Sequence, residues 1–253
     1  MQDLKNKVVL VTGASSGIGA AVARAFGAAG ARVAVHYKNG REEADAIVAE
    51  LRGAGGDAIA VRADVTQSAQ VDEMVGAVHA HFGRIDVLVN NAGGFVRRAP
   101  IVEAEDDYID EVFKLNARSV VAVSRRVIPL MARDGGGNII NVTTQAARTG
   151  GGPGAGLYAA CKGFVSTITR TMAKELVNDR IRVNAVAPGV IETPFHDGHS
   201  SDEILKRFTA AIPMGRLGTA NECTGAFLFL ASEQASSYVT GQIIEVNGGQ
   251  VMP

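Results

Sequence analysis

Short apolar runs alternate along this chain with longer segments of helical periodicity. The runs are rich in Val and Ile and lack clean polar–apolar alternation, which is typical of strands buried on both faces of a parallel sheet. They are Val8–Val11, Val33–Val35, Ala58–Val61, Ile85–Val89, Ile139–Val142, Ile181–Val186 and Ile243–Val246. The predicted helices between them are Ile18–Ala29, Arg41–Leu51, Val71–Phe82, Tyr108–Arg133, Phe164–Leu176 and Glu222–Leu230. This alternation predicts an α/β, doubly wound fold with a seven-stranded, mostly parallel sheet and helices on both faces.

The sequence predicts one domain over residues 1–253. It contains no linker rich in Pro, Ser or charge, and no internal repeat. The segment 191–218 departs from the alternation, since it holds two prolines, three glycines and two histidines and no predicted sheet strand. An excursion of this length from a doubly wound sheet predicts a substrate lid.

Charge and composition argue against several functional classes. The 25 Lys and Arg residues balance 26 Asp and Glu residues, so no basic face for nucleic acid is expected. No apolar run approaches the roughly 18 residues of a membrane span. The chain enters its first predicted strand at Val8, which leaves no room for a signal peptide. Because Cys161 and Cys223 are too few for a disulfide scaffold, we expect a cytoplasmic protein with free thiols.

A glycine-rich segment, Thr12–Gly19, connects the first predicted strand to the first predicted helix. Its glycines, Gly13, Gly17 and Gly19, have the spacing G-x-x-x-G-x-G. Glycine lets the pyrophosphate of a dinucleotide approach the backbone, where the free N–H groups and positive dipole of a helix N-terminus can bind it. The segment predicts a dinucleotide site. The alternative is a glycine-rich turn without a ligand.

Tyr158 and Lys162 are four residues apart, so a helix would place them on one face. A phenol with a pKa near 10 is a poor acid–base catalyst at neutral pH. An ammonium about 5 Å away, at an effective dielectric constant of about 20, favours the phenolate by about 3 kcal/mol, or about two pKa units. The pair is therefore a candidate acid–base centre. The alternative is a chance spacing of the kind many helices contain.

Together the two motifs resemble the classical short-chain dehydrogenase/reductase family, and the resemblance extends from about Lys7 to Gly249. The matching segments are Thr12–Gly19, Asp64-Val65, Asn90–Gly93, Asn116, Tyr158–Lys162, Pro188-Gly189, Thr193 and Gly241–Gly249. Within the family the chain is similar to oxoacyl-carrier-protein reductase-like and sugar dehydrogenase-like members. The resemblance implies a Rossmann-type domain and an NAD(P)-dependent oxidoreductase that interconverts a secondary alcohol and a ketone. The alternative is a nucleotide-binding regulator with the same fold and little or no turnover.

The resemblance also implies a role for each matching residue. Tyr158 would exchange a proton with the substrate oxygen, Lys162 would hold the nicotinamide ribose, and Asn116 would hold a water that links Lys162 to solvent. The implied catalytic set is Asn116, Thr144, Tyr158 and Lys162. The implied cofactor-binding set is Gly13, Ser15, Gly17, Ile18, Gly19, Tyr37, Lys38, Asp64, Val65, Asn90, Ala92, Gly93, Tyr158, Lys162, Pro188, Gly189, Ile191 and Thr193.

Two departures from the family pattern concern the hydroxyl that would bind the substrate carbonyl. Thr144 stands where the family usually has serine; it keeps the hydroxyl, but its methyl group narrows the pocket. The separation of Thr144 and Tyr158 is also one residue longer than the commonest family spacing, which the glycines of Gly150–Gly156 could absorb. The neighbouring Thr143 is the alternative hydroxyl.

The residues after the second predicted strand indicate cofactor choice. The resemblance places Tyr37 where NAD-selecting members carry an aspartate, which would bond the ribose 2′-hydroxyl of NAD and repel the NADP phosphate. Lys38 and Arg41 could attract that phosphate, or both could be solvated surface charges. Ser16 stands where NADP-binding members often carry a basic residue. We therefore expect NADP, with NAD as the alternative.

Three smaller features complete the prediction. Arg97 and Arg98 follow the Asn90–Gly93 segment, where they could meet an acidic substrate or be solvated loop charges. His196 and His199 lack the further ligands of a zinc site, so no metal is expected. The two long predicted helices, Tyr108–Arg133 and the one that ends at Leu176, are apolar on more than one side, so we expect a homo-oligomer, a tetramer. The resemblance implies that these two helices pair across a two-fold axis. The expected partners are a small-molecule carbonyl or alcohol substrate, with no nucleic acid and no membrane.

Overall fold

Strands and helices alternate in the order that the sequence predicts. The computed structural model of the protein describes residues 1–193 and 202–252. The strands are β1 (Val8–Val11), β2 (Arg32–Tyr37), β3 (Ala58–Arg62), β4 (Val87–Asn90), β5 (Gly137–Val142), β6 (Ile181–Pro188), β7 (Ile191–Glu192), β8 (Gly218–Thr219) and β9 (Ile243–Val246). The helices are α1 (Gly17–Ala28), α2 (Arg41–Gly53), α3 (Ser68–Phe82), α4 (Asp106–Phe113), α5 (Ser119–Arg133), α6 (Ala146–Thr149), α7 (Gly156–Glu175), α8 (Asp202–Ala211), α9 (Ala220–Ala231) and α10 (Glu233–Ser236).

Seven of the strands form one sheet in the order β3-β2-β1-β4-β5-β6-β9, and every neighbouring pair is parallel. The predicted seven-stranded Rossmann-type sheet is therefore confirmed. Strand order reverses between β1 and β4, because the chain builds outward from β1 on one side and from β4 on the other. In such sheets the crevice at the carboxyl ends of the strands, where the order reverses, is the usual ligand site.

Side chains from β1 point alternately to the two faces of the sheet, and helices cover both. Val9 and Val11 pack in the cluster that contains Phe26 of α1 and Ile47 of α2. Val8 and Leu10 pack in a second cluster, with Val75 of α3, Val127 of α5 and Met172 of α7. Burying one such side chain stabilises the fold by roughly 1.5–3 kcal/mol. The unbroken apolar runs thus follow from burial on both sides.

The predicted helix Tyr108–Arg133 is interrupted. A π-helical turn, Lys114–Arg118, separates α4 from α5. A π turn accommodates one extra residue without ending the helix, and such turns are frequent at functional sites. Here it contains Asn116, which is fully buried. Periodicity over the whole segment did not reveal the insertion.

Two other boundaries differ from the predictions. The predicted helix Phe164–Leu176 begins earlier, at Gly156, so α7 includes Tyr158 and Lys162 on its first two turns. The prediction that the segment 191–218 contains no strand is wrong, since β7 and β8 pair at its two ends, with Ile191 opposite Gly218. This pairing closes the base of the segment. His196 and His199 lie outside the described residues.

Candidate active site

A glycine-rich turn connects the carboxyl end of β1 to α1 at the crevice, and its glycines present backbone without side chains. Gly13 and Gly17 have φ angles of 63° and 54°, a backbone conformation that favours glycine. A side chain at Gly19 would collide with the Gly13 carbonyl oxygen, and one at Gly13 would come within 3.0 Å of the Ala92 Cα. The backbone at the N-terminus of α1 is therefore bare, and the free N–H groups of its first turn can bind an anion.

One cavity of about 590 Å³ joins this turn to the first turns of α7. The predicted site residues that line it are Gly13, Gly17, Ile18, Gly19, Gly93, Thr144, Tyr158, Lys162, Pro188, Gly189, Ile191 and Thr193. The predicted residues outside its lining are Ser15, Tyr37, Lys38, Asp64, Val65, Asn90, Ala92 and Asn116. The structure thus brings together the residues assigned to the pyrophosphate, the nicotinamide and catalysis. A bare backbone cradle continuous with a cavity of this size fits a nicotinamide dinucleotide.

Asn116 and Lys162 meet behind Gly93. The Lys162 ammonium is buried and donates to the Val142 carbonyl oxygen at 2.8 Å. The Asn116 side chain accepts from the Gly94 N–H at 2.9 Å and donates to the Gly94 carbonyl at 3.0 Å. A Cβ atom on Gly93 would lie 2.8 Å from Asn116 Oδ1 and 3.2 Å from Lys162 Nζ. The π turn therefore puts Asn116 against the same backbone segment as Lys162, although the two residues are far apart in sequence.

Burial controls the protonation of Tyr158 and Lys162. It raises the pKa of Tyr158 above its ordinary value of 10.0 and lowers the pKa of Lys162 to about 8. Lys162 Nζ lies 5.9 Å from the centre of the Tyr158 ring. The sequence predicts that this ammonium lowers the Tyr158 pKa, but the pKa is raised, and burial is the cause. The phenol is protonated at neutral pH, as an ordinary tyrosine is.

Thr144 and Thr143 have different surroundings. The Thr143 hydroxyl is buried, donates to the Lys162 carbonyl oxygen at 2.8 Å and pairs with Ser166. The Thr144 hydroxyl is half-buried on the cavity wall, at 3.3 Å from the Pro188 carbonyl oxygen. Thr143 thus joins β5 to α7, while Thr144 has the longer and weaker contact and can turn toward a ligand.

Several predicted cofactor residues are engaged with the protein itself. Asn90 is buried and donates to Ser124 and Asn141, each at 2.9 Å. The Ala92 N–H donates to the Thr12 hydroxyl at 3.0 Å. These bonds fix the segment that runs beneath the cavity, so Asn90 acts here through the backbone it holds. Packing also requires glycine at position 189, because a Cβ atom there would lie 2.7 Å from the Asn247 Cα.

At the carboxyl ends of β2 and β3, charged side chains pair with one another. Lys38 Nζ lies 2.8 Å from Asp64 Oδ2, and Asp64 Oδ1 accepts from Thr66. Although partial burial opposes it, bonding to Lys38 and Thr66 holds the Asp64 pKa below its usual value. Arg41 pairs with Asp45 one helical turn away at 3.4 Å. Both cations expected to attract a 2′-phosphate thus have carboxylate partners, while Tyr37 is buried.

His36 is a residue that the sequence analysis missed. Its Nδ1 accepts from the Gly13 N–H at 2.9 Å, and its Nε2 lies 3.0 Å from the Ala63 carbonyl oxygen. Burial lowers the His36 pKa to about 4, so the ring is neutral and its remaining proton lies on Nε2. It connects the glycine-rich turn to the end of β3. The available signal was a polar residue inside a buried strand.

The cavity is also lined by residues outside the implied catalytic and cofactor-binding sets, and one of them is Arg98, which the sequence offers as a contact for an acidic substrate. Phe95 packs on Tyr158 with ring centres 4.7 Å apart, and Arg98 stacks on Phe95. Gln145 donates to Gln250 at 2.6 Å, across the base of the cavity. Phe95 and Arg98 follow the Asn90–Gly93 segment, Gln145 follows Thr144, and Gln250 belongs to the C-terminal segment. No spacing rule in the sequence places them at the cavity.

Within residues 1–193 and 202–252, no group of three or more His, Cys, Asp or Glu side chains is arranged to hold a metal ion. Among the helices of the described chain, none combines the length and apolarity needed to cross a membrane.

The chain is similar to reductases over its whole length. A family model described as "Enoyl-(Acyl carrier protein) reductase" matches residues 13–250. A 3-oxoacyl-[acyl-carrier-protein] reductase of Synechocystis is 41% identical over 252 residues, covering 100% of both chains. A second protein of that name, from Thermotoga maritima, is 41% identical and covers 98% of this chain and 99% of its own.

Solved structures are similar in fold as well as in sequence. An NADH-dependent reductase "responsible for alginate metabolism" is 40% identical, with a TM-score of 0.92 and full coverage of both chains. A short-chain dehydrogenase/reductase from Mycobacterium marinum is 35% identical, with a TM-score of 0.94 over 100% of this chain and 98% of that one. None of these similarities supports the alternative of a regulator without turnover. The chain belongs to the short-chain dehydrogenase/reductase family and is an NAD(P)-dependent oxidoreductase that interconverts an alcohol and a ketone.

Proposed function

We propose that this protein reduces the carbonyl group of a small ketone, with Tyr158 as the proton donor. The observation that carries the proposal is the cavity that joins the glycine-rich turn to Thr144, Tyr158 and Lys162. A nicotinamide cofactor bound there supplies the hydride. The protein itself supplies the proton from Tyr158, orients the carbonyl group with Thr144 and holds the positive charge of Lys162 in a fixed position.

Reduction of a ketone requires a proton donor beside the carbonyl oxygen. The Tyr158 phenol, whose pKa burial raises above its ordinary value, is protonated at neutral pH and can donate to a carbonyl oxygen that gains negative charge. The Thr144 hydroxyl stabilises the same oxygen by a hydrogen bond. Lys162 is anchored on the Val142 carbonyl oxygen, and from there it would hold the nicotinamide ribose. Asn116 would hold a water that links Lys162 to solvent, the route by which Tyr158 would regain its proton.

The rest of the cofactor set keeps the roles that the family implies. Gly13, Gly17 and Gly19 bind the pyrophosphate, and Asp64 and Val65 bind the adenine. Asp64 Oδ2 accepts from Lys38 and has a second lone pair for the adenine amine. Lys38 has further N–H donors and, being exposed, can also turn toward a 2′-phosphate.

We propose that NADPH is preferred over NADH. Tyr37, where NAD-selecting members carry an aspartate, brings no negative charge, and the exposed cations Lys38 and Arg41 follow it in the chain. A third cation supports the proposal: Arg62, at the end of β3, donates its Nε to the Lys38 carbonyl oxygen at 3.3 Å. Charge-assisted bonds from such groups favour the phosphorylated cofactor.

We also propose one domain over residues 1–253, with 191–218 as its lid, and a homotetramer in the cytoplasm. The pairing of β7 with β8 at the two ends of the segment supports a lid that is joined to the domain at both ends. The exposed side chains of Ile109 and Phe113, with Phe113 on Phe164, support an interface along α4 and α7.

Replacing Tyr158 by Phe tests the proposed function. The expected result is near-complete loss of NADPH oxidation on a panel of ketones, with cofactor affinity retained, because only the proton donor is removed. Tyr108→Phe is a matched control, since the Tyr108 hydroxyl donates to the Arg97 carbonyl outside the cavity. Tyr158→Phe turnover above a few per cent of the original protein would overturn the assignment.

The natural substrate has two candidate classes. The curated relatives are named 3-oxoacyl-[acyl-carrier-protein] reductases, which makes a 3-oxoacyl thioester one candidate. The second candidate is a short oxo acid, because the Arg98 guanidinium lines the cavity and could bind its carboxylate.

A further inference from the structure

Two adjacent arginines follow the Asn90–Gly93 segment, and the fold sends them in different directions. The Arg97 guanidinium lies over the Tyr108 ring, 4.1 Å from its centre, and the Arg97 carbonyl accepts from the Tyr108 hydroxyl at 2.7 Å. Arg97 is thereby held against α4, outside the cavity lining. Arg98 is half-buried and lines the cavity. Only the second arginine is therefore placed to contact a substrate.

The glycine-rich loop before α7 is shaped around Arg98. Its guanidinium donates to the Pro153 carbonyl oxygen at 3.2 Å, and the next residue, Ala99, donates its N–H to the Gly154 carbonyl at 3.2 Å. Gly154 has a φ of 73°, and a Cβ there would lie 3.0 Å from both the Arg98 Cβ and the Ala99 nitrogen. A glycine is thus required where the loop contacts Arg98, and the contacts with this loop fix the position of the Arg98 side chain.

Phe95 sets the distance from Arg98 to the reacting group. The Arg98 guanidinium carbon lies 4.3 Å from the centre of the Phe95 ring, and that ring lies 4.7 Å from the Tyr158 ring. The two distances place the guanidinium carbon at most about 9 Å from the Tyr158 ring centre. One short molecule can therefore contact the guanidinium and the phenol together.

The charge of the cavity favours an anion. Among the described residues that line it, the charged side chains are Arg98 and Lys162, and none is Asp or Glu. Lys162 is committed to the Val142 carbonyl oxygen on the nicotinamide side. Burial lowers the Arg98 pKa somewhat, which reports a guanidinium partly withdrawn from water. A partly desolvated guanidinium binds a carboxylate more strongly than a fully hydrated one does.

We propose that Arg98 binds the carboxylate of a short oxo acid whose keto carbon lies beside Tyr158, and so selects the substrate. The inference rests on the proposed ketone reduction and specifies its substrate class. Phe95 contributes by holding the guanidinium carbon over its ring. A neutral 3-oxoacyl thioester carries a thioester carbonyl at the corresponding place, which can accept a hydrogen bond from Arg98 but has no negative charge to pair with the guanidinium.

Matched acid and ester substrates test the proposal. Acetoacetate and levulinate, each with its methyl ester, are assayed for kcat/KM with the original protein and with Arg98→Gln, Arg98→Lys and Arg97→Gln. We expect the original protein to prefer the acids. Arg98→Gln should reduce kcat/KM for the acids roughly 10- to 100-fold and leave the esters within a few-fold, since one charge-assisted contact is lost. Arg98→Lys should retain part of the preference, and Arg97→Gln should retain all of it.

A second measurement uses the original protein alone. Raising the NaCl concentration should lower kcat/KM for the acids and leave the esters unchanged, because salt screens the guanidinium. Equal loss of acid and ester turnover in Arg98→Gln, an unchanged acid preference in that variant, or an ester preference in the original protein would each overturn the proposal. Absence of turnover on acids, esters and the wider ketone panel would instead overturn the proposed ketone reduction.

Discussion

The two ends of the proposed cofactor site are built differently. At the catalytic end, Lys162 and Asn116 are buried and bonded to backbone groups of Val142 and Gly94. At the adenosine end, Lys38 and Arg41 are exposed and bonded to other side chains. Backbone partners are fixed by the sheet, whereas exposed side-chain pairs are weak and exchange with water or ligand. The comparison indicates that substitutions at the catalytic end should have large effects and those at the adenosine end small ones.

After the loss expected for Tyr158→Phe, the largest effect on activity is expected at Thr144. Thr144→Ala should lower kcat on the order of 10²–10³-fold, because a donor to the developing oxyanion is lost. Thr144→Ser should keep most of the activity, since the hydroxyl remains. Steady-state kinetics of both variants measure this. Full activity in Thr144→Ala would transfer the role to Thr143 or to no hydroxyl.

A smaller effect is expected in the stability contributed by Lys162. Burial lowers its folded pKa to about 8, below the value of an unfolded lysine. Between these two pKa values the unfolded state binds more protons, so stability rises with pH through this window and the folded state is penalised below it. Lys162→Met, although inactive, should therefore exceed the original protein in unfolding free energy at pH 7 by on the order of 1–3 kcal/mol.

Denaturant titrations of both proteins at pH 7 and above pH 10 measure this difference. The gap between Lys162→Met and the original protein should narrow at the higher pH, because the folded lysine is then neutral. A gap that stays constant with pH would show that the variant acts through packing alone.

The adenosine end is expected to affect selectivity only modestly. Lys38→Gln should lower kcat/KM with NADPH by roughly 3- to 10-fold and leave NADH nearly unchanged, since Lys38 is exposed and shared with Asp64. Raising salt should weaken NADPH binding more than NADH binding. Kinetics with both cofactors at two ionic strengths test this. A loss for NADPH as large as that of Thr144→Ala would contradict the comparison.

The smallest effect is expected at Asp45, the partner of Arg41 on α2. Asp45→Asn should change the unfolding free energy by less than about 0.5 kcal/mol, because an exposed pair at this helical spacing contributes little. It also frees Arg41 for a 2′-phosphate, so NADPH affinity should stay equal or rise. Urea denaturation and NADPH titration measure the two quantities. A decrease of more than about 1 kcal/mol in the unfolding free energy of Asp45→Asn would show that the Arg41–Asp45 pair stabilises the fold, against this prediction.

Much of the fold and part of the site could be predicted from the sequence. The strand runs were recognisable because burial on both faces requires continuous Val and Ile, and the glycine turn because it requires backbone without Cβ atoms. His36 was missed, because its role depends on the Gly13 N–H and the Ala63 carbonyl, which parallel strands bring together from distant positions. The π turn was missed because one inserted residue changes the helical period too little to be seen.

The sequence by itself determined the α/β alternation, the bare turn before α1 and the spacing of Tyr158 and Lys162 on one helix. These features are local, since each depends on residues within a few turns of chain. The tertiary structure alone decided that burial raises the Tyr158 pKa, and that Arg98 rather than Arg97 lines the cavity. It also decided that Lys38 pairs with Asp64. Electrostatics and side-chain direction depend on which distant segments pack together and how much water they exclude, and no local pattern carries that information.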